Sequence, residues 1–234
     1  MKKERLDKYV SNQLNISRSA VRTGIMSGKA SVNGETVKNP AAPIDCEADT
    51  VFYSGNKIEY KKYVYLMLNK PAGIITASSD KSRKTVLDLV PYELRRKDLA
   101  PVGRLDKDTT GLLIITDDGE FAHKCISPKS NIEKSYIVEL DGDITEDVIT
   151  SFRNGVTLAD GYICKPAKLF DLGNRQARVV ITEGKYHQIK RMFGVFSLGV
   201  NALHRESFGS LKLPPDLGEG ECAEIGESAQ KLII

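Results

Sequence analysis

Asp106 and Asp108 stand two positions apart in the string Gly103-Arg104-Leu105-Asp106-Lys107-Asp108-Thr109-Thr110-Gly111, directly before the wholly apolar run Leu112 to Ile115. An ionised aspartate held in one geometry can attack a sugar or a base as a nucleophile, or take a proton as a general base. On residue type alone three readings of the pair are open. One or both acids can close a turn or cap a backbone; Asp106 can be a lone reacting carboxylate; or the two can share the work of a hydrolase. The last fits poorly, because the second acid would have to lie across a bound sugar, and residues two apart on one loop are badly placed for that. The other ionisable groups that invite chemistry are Lys190, beside Arg191, and the imidazoles of His187 and His204. Either histidine could be a base or a metal ligand, but no carboxylate or cysteine sits in ligand spacing with it. Cys46, Cys125, Cys164 and Cys222 are scattered, with no Cys-x-x-Cys pair. The expectation is reduced thiols and no metal.

A reacting carboxylate needs rigid support, and the run Leu112 to Ile115, bounded by Thr-Thr-Gly and Asp-Asp-Gly, reads as a strand covered on both faces. Residues just ahead of such a strand inherit its position. Around it the sequence predicts strands over Tyr63 to Leu68, Ser135 to Leu140, Leu169 to Asp171 and Ala177 to Ile181, with Gly173-Asn174 as the turn between the last two. Residues 78–84 read as a polar, basic, flexible loop before a helical stripe at Val86, Leu87 and Leu89. A short helix through Phe121, Ala122 and Cys125 is closed by Pro128. Another begins in the string from Glu183 to Phe193, and a strand at Leu203 to Glu206 leads into a turn at Phe208-Gly209.

The N-terminal part has a different rhythm. Leu6, Tyr9, Val10 and Leu14 recur at helical spacing up to Asn15. A second helix follows, with Ser17 as its N-cap, Ala20, Val21 and Ile25 as its apolar stripe, and Arg18 and Arg22 sharing a solvent side. Gly28 stops it, and Asn33-Gly34 between two short apolar-polar runs signals a hairpin with a type I′ turn. The polar stretch near Ser54-Gly55-Asn56 reads as the exit of this module, which puts a linker at 56–62 and the domains at 1–58 and 59–234.

A chain of 234 residues with 41% apolar and 28% charged residues is long enough for two globular domains and has no disordered or fibrous bias. Met1-Lys2-Lys3-Glu4-Arg5 runs into an amphipathic pattern without an apolar leader, and no run of about eighteen apolar residues occurs. A cytoplasmic protein with no membrane partner is expected. Net charge is only +3, too small to argue for nucleic acid, so distribution carries that point. Residues 1–40 hold eight bases against three acids, +5, and residues 184–205 hold Lys185, Lys190, Arg191 and Arg205 with no acid, +4.

Gly103-Arg104-Leu105-Asp106 followed by Thr109-Thr110-Gly111-Leu112-Leu113 resembles the catalytic motif of pseudouridine synthases of the RsuA/RluA superfamily. Ser17-Arg18-Ser19-Ala20-Val21-Arg22, with Gly28 and Val32-Asn33-Gly34, resembles the alpha-L RNA-binding domain found in a small-subunit ribosomal protein and in tyrosyl-tRNA synthetases. Glu133-Lys134-Ser135-Tyr136, the string from Glu183 to Phe193 and Leu203-His204-Arg205-Glu206 match the family's later stretches in order. Lys at 190 and His204-Arg205-Glu206 look like the RsuA branch, whose members modify ribosomal RNA, and Ser127-Pro128 with Glu133-Lys134-x-Tyr136 leans to its small-subunit members.

The resemblance implies an α+β protein: a small helix-helix-hairpin RNA-binding domain, then a larger catalytic domain on a mixed, mainly antiparallel sheet. It also implies roles. Asp106 would be the essential residue, Lys190 the cation paired with it, and Tyr136 the ring that stacks on the target base. Arg104 would fill the space that the flipped base leaves, or clamp a phosphate. Arg18, Arg22 and Lys29, with Arg191, His204 and Arg205, would face RNA. Pseudouridine formation breaks a glycosidic bond, turns the freed uracil and rejoins it through carbon 5 with no net oxidation, so no cofactor is expected. The expected partner is ribosomal RNA, as 16S RNA or a small-subunit assembly intermediate, met by a monomer. A synthase acting on large-subunit RNA, and a non-catalytic RNA-binding assembly protein, are the alternatives. An intact Gly-Arg-Leu-Asp string speaks against the last.

Overall fold

In the computed structural model, which describes residues 3–226 and 231–233, the chain divides into two compact units. One is Met1–Val64 with Pro91–Leu99, the other Tyr65–Val90 with Ala100–Ile234. Lys2, counted in the N-terminal charge, lies outside the described residues.

In the first unit β1 (Lys3–Arg5) leads into α1 (Leu6–Leu14) and α2 (Arg18–Met26). Leu6, Tyr9, Val10, Val21 and Ile25 are at most 1% exposed and form one core with Ala30, Val51 and Ile58. Asn15 ends α1 in the left-handed region (φ 52°), and Ser17 caps α2 by accepting from the Ala20 amide at 3.3 Å, both as the sequence predicts. β2 (Ala30–Val32) and β3 (Glu35–Thr36) are joined through Asn33 and Gly34 at φ 52° and 87°. β4 (Pro43–Asp45) pairs with β1, while β5 (Val51–Tyr53) and β6 (Asn56–Ile58) extend the hairpin to a sheet ordered β3-β2-β5-β6. Here the linker reading fails. Ser54 and Gly55 take φ of 50° and 82° and form a second tight turn, so Asn56–Ile58 returns to the sheet instead of leaving it. Gly24 in the middle of α2 sacrifices about 1 kcal/mol of helix propensity. An added Cβ would stand 2.0 Å from Tyr53 Oη, so only glycine lets that ring pack.

Arg18 and Arg22 are not free on a solvent face. Both reach Asp7, at 3.0 and 2.8 Å, and Arg5 joins them at 3.0 Å; the Asp7 side chain is fully buried while the three arginine side chains are 43–48% exposed. Burial works to raise the Asp7 pKa, but the bonds from Arg5, Arg18 and Arg22 outweigh it and hold the carboxyl well below the usual carboxylate range. A carboxylate depressed in the folded state stabilises it above the unfolded pKa, about 3.9, and that contribution is lost as pH falls through the lower folded value. Asp7→Asn is therefore expected to destabilise this unit by about 1–2 kcal/mol at neutral pH, the half-exposed guanidiniums keeping the loss modest, with the difference shrinking below about pH 4. Hydrogen exchange of α1 and α2 amides against pH measures it. Equal protection in both proteins at pH 7 would show that the cluster contributes nothing.

The second unit is built on β7 (Tyr65–Lys70), β8 (Ala100–Pro101), β9 (Thr110–Thr116), α3 (Gly119–Ile126), β10 (Lys134–Leu140) and α4 (Glu146–Asn154). It continues with β11 (Lys168–Gly173), β12 (Gln176–Ile181), α5 (Gln188–Gly194), β13 (Val200–Phe208), β14 (Leu211–Lys212) and β15 (Cys222–Glu224). One sheet runs β11-β12-β10-β13-β9-β7-β15, with β8 added to β9 and β14 to β13. Every pairing in it is antiparallel except β9 with β13, so the mixed, mainly antiparallel sheet of an α+β fold is as expected. Leu112 to Ile115 of β9 are at most 1% exposed, an upper bound of about 1.5–3 kcal/mol of burial each. Some details differ from the sequence pattern. The β11–β12 turn falls on Asn174-Arg175, α5 begins at Gln188 rather than nearer Glu183, Val86–Leu89 is a single 3₁₀ turn, and α4 was not anticipated.

β9 and β13 touch only where Thr110 faces His204 and Gly111 faces Arg205; beyond that they part, β9 toward β7 and β13 toward β10. Gly111, at φ 98°, makes this junction possible, since a Cβ there would lie 2.3 Å from the Arg205 carbonyl oxygen. The segment before β9 enters the sheet at this parting.

Candidate active site

The segment Gly103 to Thr109 is pinned by side chains from other elements. Lys70, at the end of β7 and 0% exposed, donates all three ammonium protons to backbone carbonyls: Pro71 at 3.0 Å, Lys107 at 3.2 Å and Thr109 at 2.8 Å. Burial pushes Lys70 down to about 8, against the pull of Asp108 and Asp106, so it is still largely charged at neutral pH and sets a cation beneath the loop. Thr76 Oγ1 donates to the Leu105 carbonyl at 2.8 Å and accepts from the Leu105 amide at 3.2 Å, and the Gly73 amide donates to the Lys107 carbonyl at 2.8 Å. The Thr109 amide closes the turn on the Asp106 carbonyl at 3.1 Å.

Held in this way, Asp106 lies on a small cleft of about 80 Å³ with Arg104, Tyr136, Leu203, Ile189 and Lys190. Among the described residues Asp106 is the only acid that lines it; Asp108 does not. Tyr136, on β10 opposite Arg205, is 7% exposed, so what its ring presents is confined to the cavity walls. Arg104 is exposed at the rim.

The expected pairing of Lys190 with Asp106 is not what the structure shows. Lys190 donates to Asp108 Oδ2, and this bond, ahead of the burial that opposes it, holds the Asp108 carboxyl below its ordinary range. The group facing Asp106 is His187, Nε2 3.6 Å from Oδ1. The cause is local: His187 turns the chain in the left-handed region (φ 48°) just before α5, stacked on Tyr186 at 3.9 Å, and Lys190 on the first turn of the helix then reaches past Asp106 to its neighbour. Arg191, one residue on, pairs with Asp160 at 2.5 Å, since adjacent helix positions do not share a face. His204 Nδ1 bonds Thr110 Oγ1 at 2.9 Å, and burial lowers its pKa. Arg205 is 3% exposed and donates from Nε to the Leu112 carbonyl at 2.7 Å, which removes it from the open surface. Lys29 is exposed.

Among the described residues no group of three or more His, Cys, Asp or Glu could hold a metal ion. The four cysteines are unpaired, and burial pushes the Cys125 thiol up to about 12 and that of Cys222 to about 11, so neither is a nucleophile. What the cleft offers is one carboxylate against an aromatic wall with a basic rim. It can attack or deprotonate a nucleoside, and it lacks the second carboxylate that a hydrolase needs.

Residues 64–194 match the family described as RNA pseudouridylate synthase, and residues 4–51 match the S4 domain. A ribosomal small subunit pseudouridine synthase A of Escherichia coli is 39% identical over 95% of this chain and 96% of its own length. An uncharacterized RNA pseudouridine synthase of Bacillus subtilis is 38% identical over 98% of both chains. The chain belongs to the RNA pseudouridylate synthase family. A solved structure, the crystal structure of pseudouridylate synthase, superimposes with a TM-score of 0.70 at 34% identity, covering 98% of this chain and 99% of that one. The protein is thus an RNA pseudouridine synthase, an isomerase, carrying an S4 domain. For this synthase, sequence reasoning missed Lys70, and it named His187 without its place beside Asp106. A lysine ending a largely apolar strand immediately before a proline was a visible signal for the first. The pairing of His187 with Asp106 had none, because the two are 81 positions apart (187 − 106).

Proposed function

We propose that this synthase converts a specific uridine of small-subunit (16S) ribosomal RNA to pseudouridine, using Asp106 as the reacting carboxylate on a base flipped out of its stack. The observation that carries the reading is that Asp106, alone among the described acids, lines the cleft it shares with Tyr136. A flipped uracil pays a few kcal/mol to unstack, and the π-face of Tyr136 returns part of it. Arg104 at the rim takes the place of the lost base or clamps a phosphate, while Lys190, held by Asp108, and His187 set the charge around the reacting carboxylate. The choice of 16S RNA draws on the small-subunit synthases it resembles.

Residues 1–58 act as the RNA-docking module and residues 59–234 as the catalytic domain. The three arginines on Asp7 support this, because one acid leaves two positive charges of that cluster uncompensated and half exposed for phosphates (3 − 1). The module raises the local concentration of substrate without touching the chemistry. The protein works as a monomer in the cytoplasm. Incubated with transcribed 16S RNA or a small-subunit assembly intermediate, the purified protein is expected to produce pseudouridine at a single position by sequencing-based mapping. Modification confined to 23S RNA would transfer the substrate to the large subunit, and no modification of either would end the proposal.

A further inference from the structure

Beside the Asp106 cleft lies a second cavity of about 260 Å³, which shares Arg104, Tyr136 and Lys185 with it and adds Lys134, Lys165 and Arg205. Five cationic side chains line one space. The only acid in its lining among the described residues, Glu183, is already occupied, accepting from Tyr162 Oη at 2.8 Å, the Lys165 amide at 2.9 Å and Gln188 Nε2 at 2.7 Å.

None of the five cations has an ion-pair partner among the described residues. Arg205, 3% exposed, makes the single bond to the Leu112 carbonyl. Lys134 Nζ donates only to the Ile132 carbonyl at 3.0 Å, and Lys165 Nζ only to neutral oxygens, Asn131 Oδ1 at 2.9 Å and the Pro128 carbonyl at 3.4 Å. Lys134 Nζ and Arg205 Cζ each lie 5.3 Å from the centre of the Phe208 ring, so the two charges flank one side chain. Burial first, and Arg205 next, push Lys134 down to about 8. Half-buried and buried cations without counter-charge are unfavourable, and they persist here turned toward a cavity that an anion would complete.

We propose that this cavity seats a phosphate group of the RNA, the phosphodiester next to the nucleotide whose base enters the Asp106 cleft. Guanidinium and ammonium groups together fit phosphate oxygens, the one by paired donors and the other as a point charge. The shared wall of Arg104 and Tyr136 sets the two cavities side by side, so a nucleotide stacked on Tyr136 has an adjoining phosphate at the second. The assignment rests on the proposed RNA substrate.

The test is RNA binding and turnover by the full-length protein carrying Lys134→Gln or Lys165→Gln, with transcribed 16S RNA and with inorganic phosphate as a competitor. Each variant is expected to raise Kd and KM about tenfold with kcat within about threefold, to lower the salt slope of binding by about one, and to weaken competition by phosphate. Lys165 is exposed, so Lys165→Gln keeps the test valid should Lys134→Gln fail to fold. Unchanged Kd and salt slope in Lys165→Gln would overturn the assignment. Weakened phosphate competition with unaltered RNA binding would also overturn it, leaving a site for free anions. Should wild type make no pseudouridine, the substrate proposal fails on that readout alone, and the binding measurements still decide the cavity.

Discussion

Asp106→Asn is expected to fold and bind RNA as the parent does and to form pseudouridine at least about a thousandfold more slowly, because an amide neither attacks nor accepts a proton. The comparison that sharpens this is Asp108→Asn. Asp108 does not line the cleft and holds Lys190 instead, so its loss frees a cation without removing the reacting group, and a rate within about tenfold of the parent is expected. Tritium release from carbon-5-labelled uridine in transcribed RNA follows both. Full turnover by Asp106→Asn would remove that residue from the chemistry. Equal losses in the two variants would mean that the Asp108–Lys190 pair is part of the reacting unit.

Lys70→Met should show the second large effect, although Lys70 is fully buried and lines neither cavity. Methionine fills a similar volume and removes a buried charge, which alone would be neutral or favourable. Against that, the Pro71 and Thr109 carbonyls lose their ammonium donor, and the Lys107 carbonyl keeps only the Gly73 amide. Unpaired buried carbonyls cost about 1–3 kcal/mol each, so a net destabilisation of about 2–4 kcal/mol is expected. The loop bearing Asp106 should also relax, and a misplacement of about 1 Å can slow a reaction about a hundredfold. The expected signature is a fall in kcat with RNA affinity nearly intact, alongside a lower denaturant midpoint for the second unit. A variant with parental kcat would show that Thr76 and the Gly73 amide suffice to hold the loop.

The sequence by itself determined the family and most of the elements that bear the candidate residues. Caps and tight turns are local: Ser17 bonding its own third neighbour, and Asn33-Gly34 supplying two positive φ values, depend on residues within a few positions. An uninterrupted apolar run such as Leu112 to Ile115 is legible because burial on both faces leaves no polar alternation. The motif strings around Asp106, Tyr136 and Lys190 were legible too, as types in order.

Partners across the fold were decided only by the tertiary structure. Charge pairing depends on distance in space, and neither sequence order nor residue type says which of two aspartates a lysine 82 positions from Asp108 will meet (190 − 108). The left-handed turn at His187 settled that, carrying His187 to Asp106 and Lys190 to Asp108. Likewise Arg18 and Arg22 read as RNA-facing bases on a solvent side, with nothing in the sequence to show that the α1–α2 packing sets Asp7 beneath them. Arg205 read as an RNA-facing base, and only the pairing of its backbone with Gly111 shows the guanidinium drawn into a wall. Lys70 is the fullest case: its neighbour Pro71 and, from the loop before β9, Lys107 and Thr109 all turn carbonyls to it, a coordination that exists only once β7 and that loop are in place.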